Sequence, residues 1–189
     1  MRILLHICCG VCAAGVAERL MRERHTVTGF FYNPNIYPEE EHARRLETAR
    51  ETAGWLGFEL IEGEYDHGEW RRLTQGRESE PEGGGRCALC FRMRLRGTHE
   101  YFCRGGFDLF TTTLTVSPLK DADTVNRIGA GTGGGKFLSA DFKKKNGFKR
   151  AMELSKMWGL YRQDYCGCEY SIRARGQGSE SMKGKGPVR

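Results

Sequence analysis

Hydrophobic and polar positions along the chain switch between a strand-like and a helical period several times. Ile3-Leu4-Leu5, followed by His6-Ile7, forms a short apolar run that ends at Cys8-Cys9-Gly10 and predicts a buried strand. Ala13, Val16, Ala17, Leu20 and Met21 then recur at helical spacing. Val27 to Tyr32 predicts a second strand, closed by Asn33-Pro34-Asn35-Ile36-Tyr37-Pro38, whose prolines continue neither strand nor helix. A helix is expected from Glu39 to Leu56, with Ala43, Leu46, Ala49, Ala53 and Leu56 on one face, an acidic first turn that suits the helix dipole, and Gly57 as its stop. Phe58 to Ile61 predicts a third strand, and Asp66 to Leu73 a short helix with Trp70 turned inward.

The second half repeats the alternation. Gln75 to Arg86, rich in Gly, Glu and Arg, is expected to be a mobile loop that leads to a helix from Cys87 to about Cys103, ended by Gly105-Gly106. Phe107 to Leu114 predicts a central strand ended by Ser117-Pro118, and a helix from near Asp121 fades in the glycines of 129–135. Phe137-Leu138 is a brief strand, residues 143–147 a basic loop, and Lys149 to Trp158 a last helix. Strands alternating with helices predict an α/β fold, a Rossmann-like three-layer arrangement with a mostly parallel sheet. Residues 1–173 are expected to form a single catalytic domain, and the apolar-poor residues 174–189 a basic, disordered tail.

Composition narrows the partners. The 189 residues carry a net charge of +6 with a pI near 8.9, which suits a polyanionic partner. No signal peptide and no apolar stretch of membrane length is visible, so a cytoplasmic protein without a membrane partner is expected. Eight cysteines in a reducing compartment point to metal or redox chemistry rather than a disulfide framework.

Seven of these cysteines fall in turns or at element ends: Cys8, Cys9 and Cys12; Cys87 and Cys90; Cys166 and Cys168. Cys103, inside a predicted helix, is read as core. Four thiolates can hold a cubane iron–sulfur cluster, which leaves three for a second metal or a redox thiol pair. Structural zinc fits the spacing equally well but does not account for seven thiols, nor for cysteines at the strand end where open α/β sheets bind ligands. A thioredoxin-like dithiol explains one pair and leaves the others unexplained.

Two further stretches carry candidate chemistry. Asp141 precedes Lys143-Lys144-Lys145, with Lys149 and Arg150 beyond; the lysines are either a solvated turn or a phosphate grip, and Asp141 a metal ligand, a substrate anchor or a turn cap. Tyr161-Arg162-Gln163-Asp164-Tyr165 runs into Cys166, and an aromatic and an arginine beside a cysteine pair can stack on a base or close a core. His6 is either a satisfied core histidine or a proton donor beside the thiols. Asn33, Asn35 and Tyr37 sit in the loop expected at the same sheet edge as Cys8, which makes them candidates for substrate contact. No pyrophosphate loop, G-x-G-x-x-G or Walker sequence occupies the first strand–helix turn.

The ordered set His6-Ile7-Cys8-Cys9-Gly10-Val11-Cys12, Tyr32 to Pro38, Arg86-Cys87-Ala88-Leu89-Cys90-Phe91, Phe110 to Leu114 with Ser117-Pro118, Asp141 to Lys145, and Tyr161 to Cys168 resembles the QueH-type epoxyqueuosine reductases over residues 1–171. In that family the first motif more often has Ala-Pro where this chain has Gly10-Val11. The resemblance implies a fold related to the adenine-nucleotide α-hydrolase group, with the cysteine turn where those proteins keep a phosphate loop. It implies the last step of queuosine synthesis, in which epoxyqueuosine at the tRNA anticodon wobble position loses its epoxide oxygen without cobalamin. It also implies a [4Fe-4S] cluster with a neighbouring metal, iron or zinc, held by the shared cysteines and by the aspartate corresponding to Asp141.

Removing the oxygen and leaving an alkene takes two electrons and two protons and releases water, whereas one cubane passes one electron at a time. The expected division gives the cluster Cys87, Cys90, one of Cys8 and Cys9, and one of Cys166 and Cys168. Cys12 and the remaining thiols would hold a Lewis-acidic metal at the epoxide oxygen. His6, Asp164 or Tyr165 would supply protons, Arg162 and residues 143–145 would hold tRNA phosphates, and an electron donor is required as a further partner.

Overall fold

A computed structural model describes residues 1–172. The expected tail at residues 174–189 lies outside the described residues. Ten regular elements alternate along the chain: β1 (Arg2–His6), α1 (Gly10–Arg22), β2 (Thr26–Phe31), α2 (Glu39–Leu56), β3 (Glu59–Glu62), α3 (His67–Thr74), α4 (Gly85–Phe102), β4 (Leu109–Thr112), α5 (Ala122–Gly133) and α6 (Gly147–Met157). The four strands form one parallel sheet in the order β3-β2-β1-β4, with Leu4 opposite Thr28 on one side and Phe110 on the other.

The strand period sorts β1 into two cores. Ile3, Leu5 and Ile7 face Ala13, Val16 and Leu20 of α1 and Ala151 of α6, while Leu4 faces Phe91 and Leu95 of α4 and Val125 of α5. Both faces of the sheet are thus covered, which makes the three-layer Rossmann-like arrangement, and β1 is apolar on both sides because it lies in the middle of a parallel sheet. Pairing to β2 on one side and β4 on the other puts the topological switch point at the carboxyl end of β1, the place where such sheets bind ligands.

Several expectations need correction. β4 is not the central strand: it has β1 on one side and only a single bridge, Phe110 to Phe137, on the other. Thr113 and Leu114 leave the strand for a 3-10 turn over Thr113–Val116, capped by the Thr112 hydroxyl, which accepts from the Leu114 N–H. The segment 75–86 is tied down rather than free. The buried Arg86 guanidinium donates to the Arg77 and Glu78 carbonyls at 2.9 Å each, and Glu80 accepts from the Arg86 N–H. Cys103 is exposed at the carboxyl end of α4, its sulfur 3.6 Å from His99 Nε2, and is not core.

Candidate metal centre

Seven thiols gather at the carboxyl edge of the sheet in two groups, and all seven are free. The first group is made by the chain's turn from β1 into α1. The Cys8 N–H donates to Thr113 Oγ1 at 3.0 Å, and the same hydroxyl lies 3.2 Å from Cys8 Sγ as a donor. Cys9 is the N-cap of α1, its sulfur accepting from the Cys12 N–H. Gly10 carries no side chain because a Cβ there would run into the Thr48 carbonyl of α2. The Sγ atoms of Cys8, Cys9 and Cys12 all lie within 4.8 Å of one another, close enough to share one metal ion.

The second group joins remote segments. Cys87 and Cys90 are on the first turns of α4, and Cys166 and Cys168 flank Gly167, whose φ of 109° is open only to glycine at little cost. These four cysteines line one cavity of about 120 Å³, with Cys166 Sγ 3.6 Å from Cys168 Sγ. The Gly83 N–H reaches Cys87 Sγ at 3.2 Å, and Trp70 packs against Cys90 and Cys168.

A buried ion pair on α2 holds the Cys166–Cys168 turn. Arg45 Nε donates to Glu41 at 2.6 Å, and its other nitrogens donate to the Tyr165 and Cys166 carbonyls at 3.2 Å each. Tyr161 donates to the second Glu41 oxygen at 2.8 Å, and the Gly167 carbonyl accepts from the Tyr37 N–H. Arg45 and Glu41 were invisible as site residues because an i,i+4 charge pair normally marks a solvated face. The available signal was the position of Arg45 beside Leu46 on the apolar stripe.

Each group keeps one easily ionised thiol and holds the protons of others. Hydrogen bonds from Cys12 and Cys9 pull Cys8 well below the ordinary thiol range, while donation to Cys8 pushes Cys12 up. In the second group the Cys168 thiol lowers Cys166 to about 5 and is itself raised by that bond; burial raises Cys87 and Cys90. Soft sulfur donors in sets of four and three fit iron–sulfur and zinc or iron chemistry, not magnesium or calcium. A second cavity of about 500 Å³ opens over Cys8 and Cys12 and is walled by Arg162, Gln163, Asp164 and Tyr165. Arg94, Lys120 and Cys166 line both cavities, so the two groups share a wall.

This grouping differs from the expected division. Cys8 and Cys9 stay with Cys12, and Cys166 and Cys168 both face Cys87 and Cys90, because the first three thiols are confined to one turn. Asp141 does not join either group: it pairs with Lys143 at 3.2 Å and Lys144 at 3.9 Å and lines a separate surface hollow. Lys143 is thereby partly committed, donating also to the Lys120 carbonyl, while Lys144 is open to solvent and Lys145 sits in a left-handed turn.

His6 is fully buried. Its Nε2 donates to the Tyr32 carbonyl at 3.1 Å and its Nδ1 accepts from Thr112 at 2.8 Å, which fixes a neutral tautomer; burial lowers its pKa to about 3, so it has no proton to lend. Tyr165 donates to the Tyr37 carbonyl and burial pushes it up to about 12. Asn33 and Asn35 are buried too, Asn33 donating to the Ile7 carbonyl and Asn35 accepting from Arg94 at 2.9 Å; they brace the site. Tyr37 is exposed and stacks on His67, and Asp164 and Arg162 stand on the open wall of the larger cavity.

The family model described as epoxyqueuosine reductase QueH matches residues 3–174. The chain belongs to the QueH epoxyqueuosine reductase family. It is therefore an oxidoreductase by family. A QueH protein from Streptococcus pyogenes is 36% identical over 183 residues, covering 92% of this chain and 71% of the relative. The Haemophilus influenzae QueH protein is 36% identical over 176 residues, 91% of this chain and 72% of the relative. That of Dehalococcoides mccartyi is 36% identical over 174 residues, 90% of this chain and 92% of the relative. Among the described residues no helix is long and apolar enough to cross a membrane.

Proposed function

We propose that this QueH-family protein reduces epoxyqueuosine to queuosine at the wobble position of tRNA, taking up two electrons and two protons and releasing the epoxide oxygen as water. The observation that carries the reading is the pairing of four thiols with three across one shared wall, beneath a cavity open to solvent. Cys87, Cys90, Cys166 and Cys168 fit a [4Fe-4S] cluster, and Cys8, Cys9 and Cys12 a single iron or zinc ion. When bound, such groups supply one-electron transfer and Lewis acidity respectively.

The chain's own residues bind, exclude water and deliver protons. Pro118 and Leu119 form the apolar lip of the larger cavity, with Leu119 75% exposed and free to cover an inserted base. Arg162 on the opposite wall is placed to hold a phosphate or ribose. Since His6 and Tyr165 keep their protons occupied or tightly held, Asp164 and Lys120, both on the cavity wall, are the groups that pass protons from solvent to the departing oxygen. Lys144, Lys145 and Arg162 grip the backbone of the anticodon arm, so tRNA affinity falls steeply as salt rises.

Protein purified without oxygen, assayed for iron, sulfide and zinc and mixed with epoxyqueuosine-containing tRNA and a low-potential reductant, tests the reading. Broad absorbance near about 400 nm, roughly four or more irons per chain and formation of queuosine are expected. In Cys12→Ala the absorbance persists while turnover is lost. A colourless zinc protein that cannot be reconstituted with iron and sulfide would discard the cluster, and salt-insensitive tRNA binding would discard the phosphate grip.

A further inference from the structure

Arg94 stands between the two cysteine groups. It follows Cys87 and Cys90 at helical spacing on α4, so all three project from one face of that helix. Its side chain is 3% exposed and lines both cavities. One nitrogen, Nη1, donates to Asn35 Oδ1 at 2.9 Å; Nε and Nη2 are buried and have no hydrogen-bond partner.

Among the described residues no carboxylate pairs with this guanidinium, unlike Arg45, which has Glu41. A buried cation without a counter-ion is costly, and it persists where a charge it faces appears in the working protein. The carboxylates that line the two cavities, Glu82 in both, Asp121 in one and Asp164 in the other, are solvent-exposed, so the charge available at the depth of Arg94 is sulfur. Arg94 lines the cavity of Cys87, Cys90, Cys166 and Cys168 and also the one over Cys8 and Cys12, and so stands beside both groups. Lys120 also lines both cavities, but it lies on the loop at their shared rim, whereas Arg94 is enclosed.

We propose that Arg94 is a positioning residue that supplies the counter-charge shared by the two thiolate-rich centres and thereby sets the reduction potential of the iron–sulfur centre. Its anchor, Asn35, holds the guanidinium through Nη1 and leaves Nε and Nη2 without a hydrogen-bond partner beside the cavities. A positive charge beside a thiolate-bound cluster favours the reduced form, and hydrogen bonds to the sulfurs act in the same direction. The inference rests on the reading that Cys87, Cys90, Cys166 and Cys168 hold such a cluster.

The experiment is a reductive titration of the anaerobically purified holoprotein with dithionite and mediators, followed by electron paramagnetic resonance, on wild type, Arg94→Gln and Arg94→Lys. Arg94→Gln is expected to have a lower midpoint potential at matched iron content, and Arg94→Lys, which keeps the charge, to stay near wild type. An unmoved potential in loaded Arg94→Gln overturns the proposal, and so does an equal shift in both variants, which would make the effect one of packing. If Arg94→Gln takes up no iron, Arg94→Lys decides: normal iron and potential support the charge, and loss of iron there too overturns it. Turnover of epoxyqueuosine tRNA is assayed on the same wild-type sample. A cluster without turnover sinks the substrate reading and leaves Arg94 standing, turnover with an unmoved Arg94→Gln potential sinks Arg94 alone, and wild type without iron overturns both.

Discussion

The two cysteine groups share one sheet edge, yet one is built locally and the other is assembled from remote segments. Cys8, Cys9 and Cys12 are delivered by a strand end and a helix N-terminus that follow each other directly, and their backbone is fixed by Thr113, the N-cap sulfur and the close approach of α2 at Gly10. Cys87 and Cys90 meet Cys166 and Cys168 through contacts between remote segments: Arg45 and Glu41 of α2 and the backbone of Tyr37 hold the later turn, and Trp70 packs against Cys90 and Cys168. The first group therefore depends mainly on the backbone of one turn, the second on contacts between remote segments, with the buried ion pair of Arg45 and Glu41 at their centre.

Arg45→Met should separate them most sharply. Removing one partner of a buried pair leaves the other charge uncompensated and costs about 3–5 kcal/mol, read as a lower urea midpoint. Iron uptake at the second group should fall while the first still binds one equivalent of cobalt or zinc; equal loss at both groups would refute the contrast. Gly10→Ala should do the reverse, forcing α1 away from the Thr48 carbonyl at a cost of roughly 1–3 kcal/mol, with single-metal binding lost and the cluster's iron retained.

His6, beneath the first group, predicts a pH dependence. Its folded pKa is held near 3 against 6.5 unfolded, so between these values the unfolded chain binds more protons. Stability is then full above pH 6.5 and is lost as pH falls through that window, by about 2 kcal/mol at pH 5. His6→Gln should flatten this slope in denaturation midpoints measured from pH 7 to pH 5; an unchanged slope would show that His6 does not carry it. The smallest effect is expected for Thr113→Val, which removes the hydroxyl that bonds Cys8 at both N–H and sulfur: about 1 kcal/mol of stability and weaker metal retention at the first group only, measured by competition with a chelator.

What the sequence disclosed follows the same division. Alternating periods and turn residues were enough for the parallel sheet, for α1, α2 and the glycine-ended α5, and for the first cysteine turn, since all of these are set within a few residues. Partners set by tertiary contact were not legible. Asp141 looked like a ligand beside a basic run, but it is spent on Lys143 and Lys144. Asn33 and Asn35 looked like loop residues facing substrate, but the loop folds inward and uses them on Ile7 and Arg94. Residues 113–114 continued a β-like pattern, yet the Thr112 hydroxyl competes for the Leu114 N–H and turns the chain. Arg94, the charge between the groups, gave one faint sign, its spacing after Cys90 along the helix.

The separation of the two groups along the chain also sets an order of manufacture. Cys8, Cys9 and Cys12 share one turn, which is complete once Thr113, just past the end of β4, has docked on the Cys8 N–H and sulfur. The four-thiol cavity cannot exist until Cys166 and Cys168 have emerged and docked on α2 and α4. Domains gain structure from the amino end as synthesis proceeds. The three-thiol turn is thus complete once Thr113 has docked, ahead of the four-thiol cavity, which waits for the segment that carries Cys166 and Cys168.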